Sequence, residues 1–108
     1  MYSESKMDFQ LVIQFSISES TDFDQLLSLE NLFQVVLGVD HSVDGHDFGS
    51  GEMNIFVHTN GPARAFELCE PNIPPKFGTS LKAAYRRMSE DRYHWIYPEG
   101  SFGDFTIT

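Results

Sequence analysis

Residues 48–59, Phe48-Gly49-Ser50-Gly51-Glu52-Met53-Asn54-Ile55-Phe56-Val57-His58-Thr59, hold a turn and a strand in one run. The glycines tolerate the positive φ that a tight connection demands. Beyond them Met53, Ile55 and Val57 alternate with Glu52, Asn54, Phe56 and His58, the period of two that gives a strand two different faces. Upstream, Asp40 to Asp47 reads as a weaker strand whose main apolar residue is Val43. Residues 40–59 are therefore expected to form a β-hairpin.

Outward from this hairpin the periods change. Phe9, Leu11, Ile13, Phe15 and Ile17 alternate with Gln10, Gln14, Ser16 and the exceptional Val12, which predicts a half-buried strand. Thr21 and Asp24 have capping-box spacing, and Asp22 places negative charge in a first helical turn. Phe23, Leu26, Leu27, Phe33, Val36 and Leu37 then recur at helical spacing and Gly38 is placed to stop them, so a helix is expected over 22–37. Asn60-Gly61-Pro62 reads as a second helix entry, with Pro62 in the first turn and a stripe of Ala65, Phe66, Cys69 and Ile73 behind it. Pro71 and Pro74-Pro75 close that helix, and 76–80 is expected to be loop. Leu81 to Met88 fits both helical and strand periods; the turn-like Ser89-Glu90-Asp91 and the run Tyr93-His94-Trp95-Ile96-Tyr97 favour a second hairpin. Pro98 ends its last strand, and 100–108 is expected to be a tail or short edge strand.

The order strand–helix–strand–strand–helix–strand–strand predicts a single α+β domain over 1–108, a ferredoxin-like two-layer sandwich with an antiparallel sheet and two helices on one face. Leu11, Ile13, Phe15, Met53, Ile55 and Val57 would lie under the helices. Gln10, Gln14, Glu52, Asn54, Phe56 and His58 would share the uncovered face, the natural binding surface, and Tyr93, Trp95 and Tyr97 would add core contacts at one edge.

The stretch Asp44-Gly45-His46-Asp47-Phe48-Gly49-Ser50-Gly51-Glu52-Met53-Asn54-Ile55-Phe56 resembles one shared by a group of small uncharacterised bacterial proteins. In that group it precedes a helix like Pro62-Ala63-Arg64-Ala65-Phe66 and an ending like Ala83-Ala84-Tyr85-Arg86 with an aromatic strand. The resemblance spans about residues 40–98 and implies a shared fold and the second hairpin. The group brings no established activity.

Charge carries the first functional content. Residues 1–60 hold ten acids and one base, Lys6, whereas 61–108 hold six of each, so the whole net charge of −9 belongs to the first 60 residues. Such a surface repels phosphate backbones, which argues against nucleic acid as a partner, and attracts a basic protein. No run approaches the roughly 18 apolar residues of a membrane span, and the opening Met1–Lys6 lacks the pattern of a secretory signal. One cysteine, Cys69, excludes an internal disulfide and fits a reducing, cytoplasmic setting. Its place on the second helix's apolar stripe makes it a small buried hydrophobe rather than a nucleophile.

His41, Asp44, His46, Asp47, Glu52 and His58 offer nitrogen and oxygen donors around the first hairpin, a mixed set that divalent metals accept. Strand alternation would put Asp44 and His46 on one face, with Glu52 and His58 approaching from the paired strand. Neither H-E-x-x-H nor a calcium-loop pattern is present, so a polar hairpin rich in turn formers is the simpler reading, and neither a cofactor nor a metal is assigned. The chain is therefore expected to be a small acidic cytoplasmic protein-binding module, concretely an immunity-type inhibitor that covers the basic surface of a partner protein. Asp44, His46, Asp47, Glu52, Asn54, His58 and Gln14 are its expected contact residues, and no catalytic residue is assigned. A small metal- or ligand-binding enzyme using the 44–52 hairpin, and a homodimer packed through its open sheet faces, are the alternatives.

Overall fold

The computed structural model describes residues 7–107; the opening hexapeptide discussed above lies outside the described residues. Five strands and two main helices follow in the order β1 (Phe9–Ser16), α1 (Ser20–Leu37), β2 (His41–Gly49), β3 (Glu52–Thr59), α2 (Pro62–Cys69), β4 (Lys82–Arg87) and β5 (His94–Tyr97). A 3-10 turn (Glu70–Asn72) and one helical turn (Pro75–Gly78) link α2 to β4. The strands form one sheet in the order β2-β3-β1-β4-β5, with every neighbouring pair antiparallel. The protein is thus α+β, with helices packed on a five-stranded antiparallel sheet.

The helix-covered face follows from the alternation. Leu11, Ile13, Phe15, Met53, Ile55, Val57 and Ala83 are solvent-free and pack with Leu26, Leu29, Phe33 and Leu37 of α1 and Ala65, Phe66 and Cys69 of α2. Each large apolar side chain buried there contributes about 1.5–3 kcal/mol. Phe77, in the segment expected to be loop, is also buried and meets Phe15 edge-on, with ring centroids 5.9 Å apart. That anchoring gives 75–78 its helical turn. Tyr97 packs against Phe66 on this side, so the three aromatics of β5 and its approach are divided between the two faces of the sheet.

Helix α1 begins two residues earlier than its sequence spacing suggested. The cap is Glu19, and the third helical residue is Asp22 rather than Asp24. The backbone N–H groups of Ser18 and Glu19 donate to Asp22 Oδ2 at 3.0 and 3.1 Å, and Lys76 Nζ lies 2.6 Å from Oδ1. The Lys76 hydrogen bond, followed by the Ser18 amide, holds the Asp22 carboxyl down at about 2. At the other end Gly38 takes φ +68°, and its N–H bonds to Val35 O.

The β2–β3 connection is a two-residue turn in which Ser50 and Gly51 take φ +54° and +78°, the positive values that a type I′ hairpin needs at both positions. The expected hairpin is present, with one departure. The register shifts between Val43 and Gly45, leaving Asp44 as the extra residue of a bulge, and Gly45 takes φ +143°.

The other face of the sheet is not open. Residues 98–107 cross it in an irregular path, where a tail or short edge strand was expected over 100–108. Phe105 is buried there with Val12 and Ala84, and Phe56, Tyr93, Trp95 and Ile107 pack around them. Trp95 Nε1 donates to Gly103 O at 3.0 Å, and Gln14 Nε2 donates to Thr106 O at 3.0 Å. Val12, the apolar exception on the polar side of β1, belongs to this second, smaller core.

Candidate functional site

The bulge at Asp44 decides where the hairpin's polar side chains go. Before it, Val43 stands opposite Val57; after it, Gly45 stands opposite Phe56 and His46 opposite Ile55. Asp44 therefore stays with His58 on the back of the sheet, the carboxylate oxygen 3.5 Å from Nε2. His46 is turned to the helix side, where Nδ1 lies 2.9 Å from Glu30 Oε1 of α1 and the ring meets Phe23 edge-on. This overturns the expectation that Asp44 and His46 share a face: an extra residue reverses the alternation beyond it.

The remaining members of the hairpin's donor cluster are dispersed as well. His41 Nδ1 lies 2.6 Å from Thr59 Oγ1, Asp47 is exposed opposite Asn54, and Glu52 is half-buried opposite Gly49. Among the described residues, three or more His, Cys, Asp or Glu side chains nowhere converge as a metal would require. Gln14 and Asn54, expected in solvent, are 3% and 0% exposed, and Gln14 Nε2 donates to Asn54 Oδ1 at 3.0 Å. They join the sheet to its C-terminal strap and are not part of a contact surface. The open sheet face expected for binding, or for pairing with a second copy, is occupied at its centre by the chain itself.

What the fold does build is a segregation of charge. Among the described residues, 7–60 contain nine Asp or Glu and no Lys or Arg. Strand order places three of the exposed ones, Asp44 and Asp47 with Asp40 just ahead of them, along β2 at one edge of the sheet. Lys82, Arg86 and Arg87 lie on β4 and Arg92 precedes β5, the two strands on the opposite side of the sheet. Lys76 is the base of the second half that crosses over, lying 2.6 Å from Asp22 and 3.9 Å from Glu19. The β2 edge keeps its negative charge.

One base of the second half is tied into the fold rather than left in solvent. Arg86 Nε donates to Gln10 Oε1 at 3.2 Å, and its guanidinium reaches the carbonyls of Arg87, Met88 and Glu90 at 3.2, 3.3 and 2.9 Å. It is the tie that closes the β4–β5 turn. Cys69 is fully buried, and burial pushes its thiol up to about 12, as its place on the apolar stripe of α2 implies.

The fold and this edge define a small α+β protein with a carboxylate-rich outer strand. No family model, curated protein or solved structure matches the chain.

Proposed function

We propose that the protein is a non-enzymatic binding module that recognises a basic protein through the acidic β2 edge, in the manner of an immunity protein covering a toxin's cationic surface. The observation that carries this reading is the row of Asp44 and Asp47 on an outer strand with Asp40 just ahead of it, in a half of the chain with no described Lys or Arg. Such an edge steers a basic partner toward the sheet and accelerates encounter. The bulge at Asp44 works against plain strand-on-strand pairing, so side-chain charge rather than the ladder supplies recognition.

The ferredoxin-like arrangement belongs to the same proposal. The succession β1-α1-β2-β3-α2-β4 and the order β2-β3-β1-β4 support it, with β5 extending the sheet beyond β4. A buried free cysteine supports a reducing, cytoplasmic setting.

The test pairs the purified chain with the product of the neighbouring reading frame. Binding is expected to weaken steeply between about 0.1 and 1 M salt, as the screening length falls from about 10 to 3 Å. The combined variant Asp40→Asn, Asp44→Asn, Asp47→Asn should weaken it further while the fold is retained. A basic partner held equally well at both salt concentrations, or by the neutralised edge, would defeat the proposal.

A further inference from the structure

Where the start of α2 meets the ends of β1, β4 and β5, on the side of the sheet away from β2, lies an open cleft of about 380 Å³. That volume lies within the range of small-molecule sites, about 300–1,000 Å³. Along its floor the rings of Phe9, Tyr85 and His94 pack against one another. Phe9 and Tyr85 meet edge-on with centroids 5.7 Å apart, and Tyr85 and His94 lie 5.2 Å apart at an interplanar angle of 31°. The Arg87 guanidinium sits 4.9 Å from the centre of the Phe9 ring, fixed in position by cation–π attraction.

Among the described residues, no carboxylate lies within ion-pair distance of Arg87. Arg64, on the opposite wall, has one carboxylate partner, Glu67, at 3.3 Å, and both side chains are about two-thirds exposed, so that pair is weak and easily exchanged. Glu90 stands on the rim and offsets one positive charge. The lining thus holds two guanidinium groups, an imidazole and one carboxylate, Glu90, with Glu67 beside Arg64 outside the lining, in a protein whose net charge is −9. The positive end of the α2 dipole points the same way.

We infer that this cavity binds a small aromatic carboxylate, its ring on the Phe9–Tyr85–His94 floor and its carboxylate between Arg87 and Arg64. A guanidinium fork matches a carboxylate bidentately, and a flat apolar body is what the aromatic floor accommodates. An inorganic anion would leave that floor unused; a neutral ring would leave the guanidinium groups unpaired. The site is separate from the β2 edge and does not depend on its role.

The test is an amide-resolved NMR titration of the intact chain with benzoate, its neutral isostere benzamide, and acetate. Benzoate should give saturable shifts confined to Gly61, Arg64, Tyr85, Arg87 and His94, with affinity at least about tenfold above benzamide and acetate. Arg87→Gln should lower benzoate affinity about tenfold or more. Arg92→Gln removes the same charge outside the cavity and should leave it unchanged; the spectra themselves report that both variants are folded. The inference is overturned if benzoate fails to saturate by about 10 mM, if benzamide or acetate matches it, if the shifts map elsewhere, or if Arg92→Gln weakens binding as much as Arg87→Gln.

Discussion

Gln14 and Asn54 stand directly opposite one another in the β1–β3 ladder, and their buried amides are joined by a 3.0 Å hydrogen bond from Gln14 Nε2 to Asn54 Oδ1. The same nitrogen donates to Thr106 O. One side chain thus ties the two central strands to the strap that closes the back of the sheet, and fixes the register of an otherwise irregular segment.

Gln14→Leu strands Asn54 Oδ1 as a buried acceptor and releases the Thr106 carbonyl, and should cost about 1–3 kcal/mol in urea unfolding. Gln14→Leu with Asn54→Leu removes both halves of the amide pair and should recover part of that loss, since replacing both partners is cheaper than stranding one. Strictly additive losses would show that the two amides are not coupled.

Phe105 is the strap's apolar anchor, with its ring perpendicular to that of Trp95 at 5.3 Å. Phe105→Ala should destabilise by about 3 kcal/mol. Because Trp95 is the one tryptophan, its emission should shift to the red while far-ultraviolet circular dichroism keeps the sheet signal. An unchanged emission would mean that the strap does not shield Trp95.

The parts of this fold legible in sequence are those in which one strand face is fully committed to the helices. The Phe9–Phe15 and Met53–Val57 alternations could be assigned to a face because a one-residue slip would expose all of them. The helix cap was ambiguous because the three-residue spacing of oxygen-bearing side chains occurs both at Glu19/Asp22 and at Thr21/Asp24, and the backbone entering from β1 selects the first. The bulge was hidden because it is a property of pairing; Gly45 alone hinted at it. The strap was hidden because 98–107 has no apolar period, although Val12 and Phe56 on the supposedly wet face were asking for a cover. Gln14 and Asn54 read as solvent-facing because an amide is costly to bury alone, and sequence does not show that two amides will meet.

Ser50 holds φ +54° in the hairpin turn, a conformation that asparagine tolerates better than serine. Ser50→Asn should raise the melting temperature, by an amount corresponding to about 0.5 kcal/mol. Gly45→Ala should lower stability by about 1–3 kcal/mol, because φ +143° is strained for any residue with a Cβ even though open space surrounds it. A neutral Gly45→Ala would show that the bulge can relax.

Cys69 should not react with a disulfide reagent at pH 8 in the native protein, since its thiol is raised to about 12 and it is fully buried. It should react at once in denaturant. Rapid labelling of folded protein would show that α2 opens readily from the sheet.

The Asp22–Lys76 contact sets an acid limit whose sign is fixed by the direction of the shift. Asp22 titrates at about 2 in the folded chain against 3.8 ordinarily, so the folded state holds its carboxylate more firmly ionised than the unfolded state does. The stability this contributes is fully present above pH 3.8 and is lost as pH falls toward 2. Urea midpoints of the wild type should drop through that window, whereas Asp22→Asn, already less stable at neutral pH, should show a shallower drop. Lys76→Met removes the leading cause of the shift while the Ser18 and Glu19 amides remain, so its decline should begin at the same pH as in the wild type, level off at a higher pH and be smaller. Parallel curves for wild type and Asp22→Asn between pH 4 and 2 would show that this carboxylate does not govern acid unfolding.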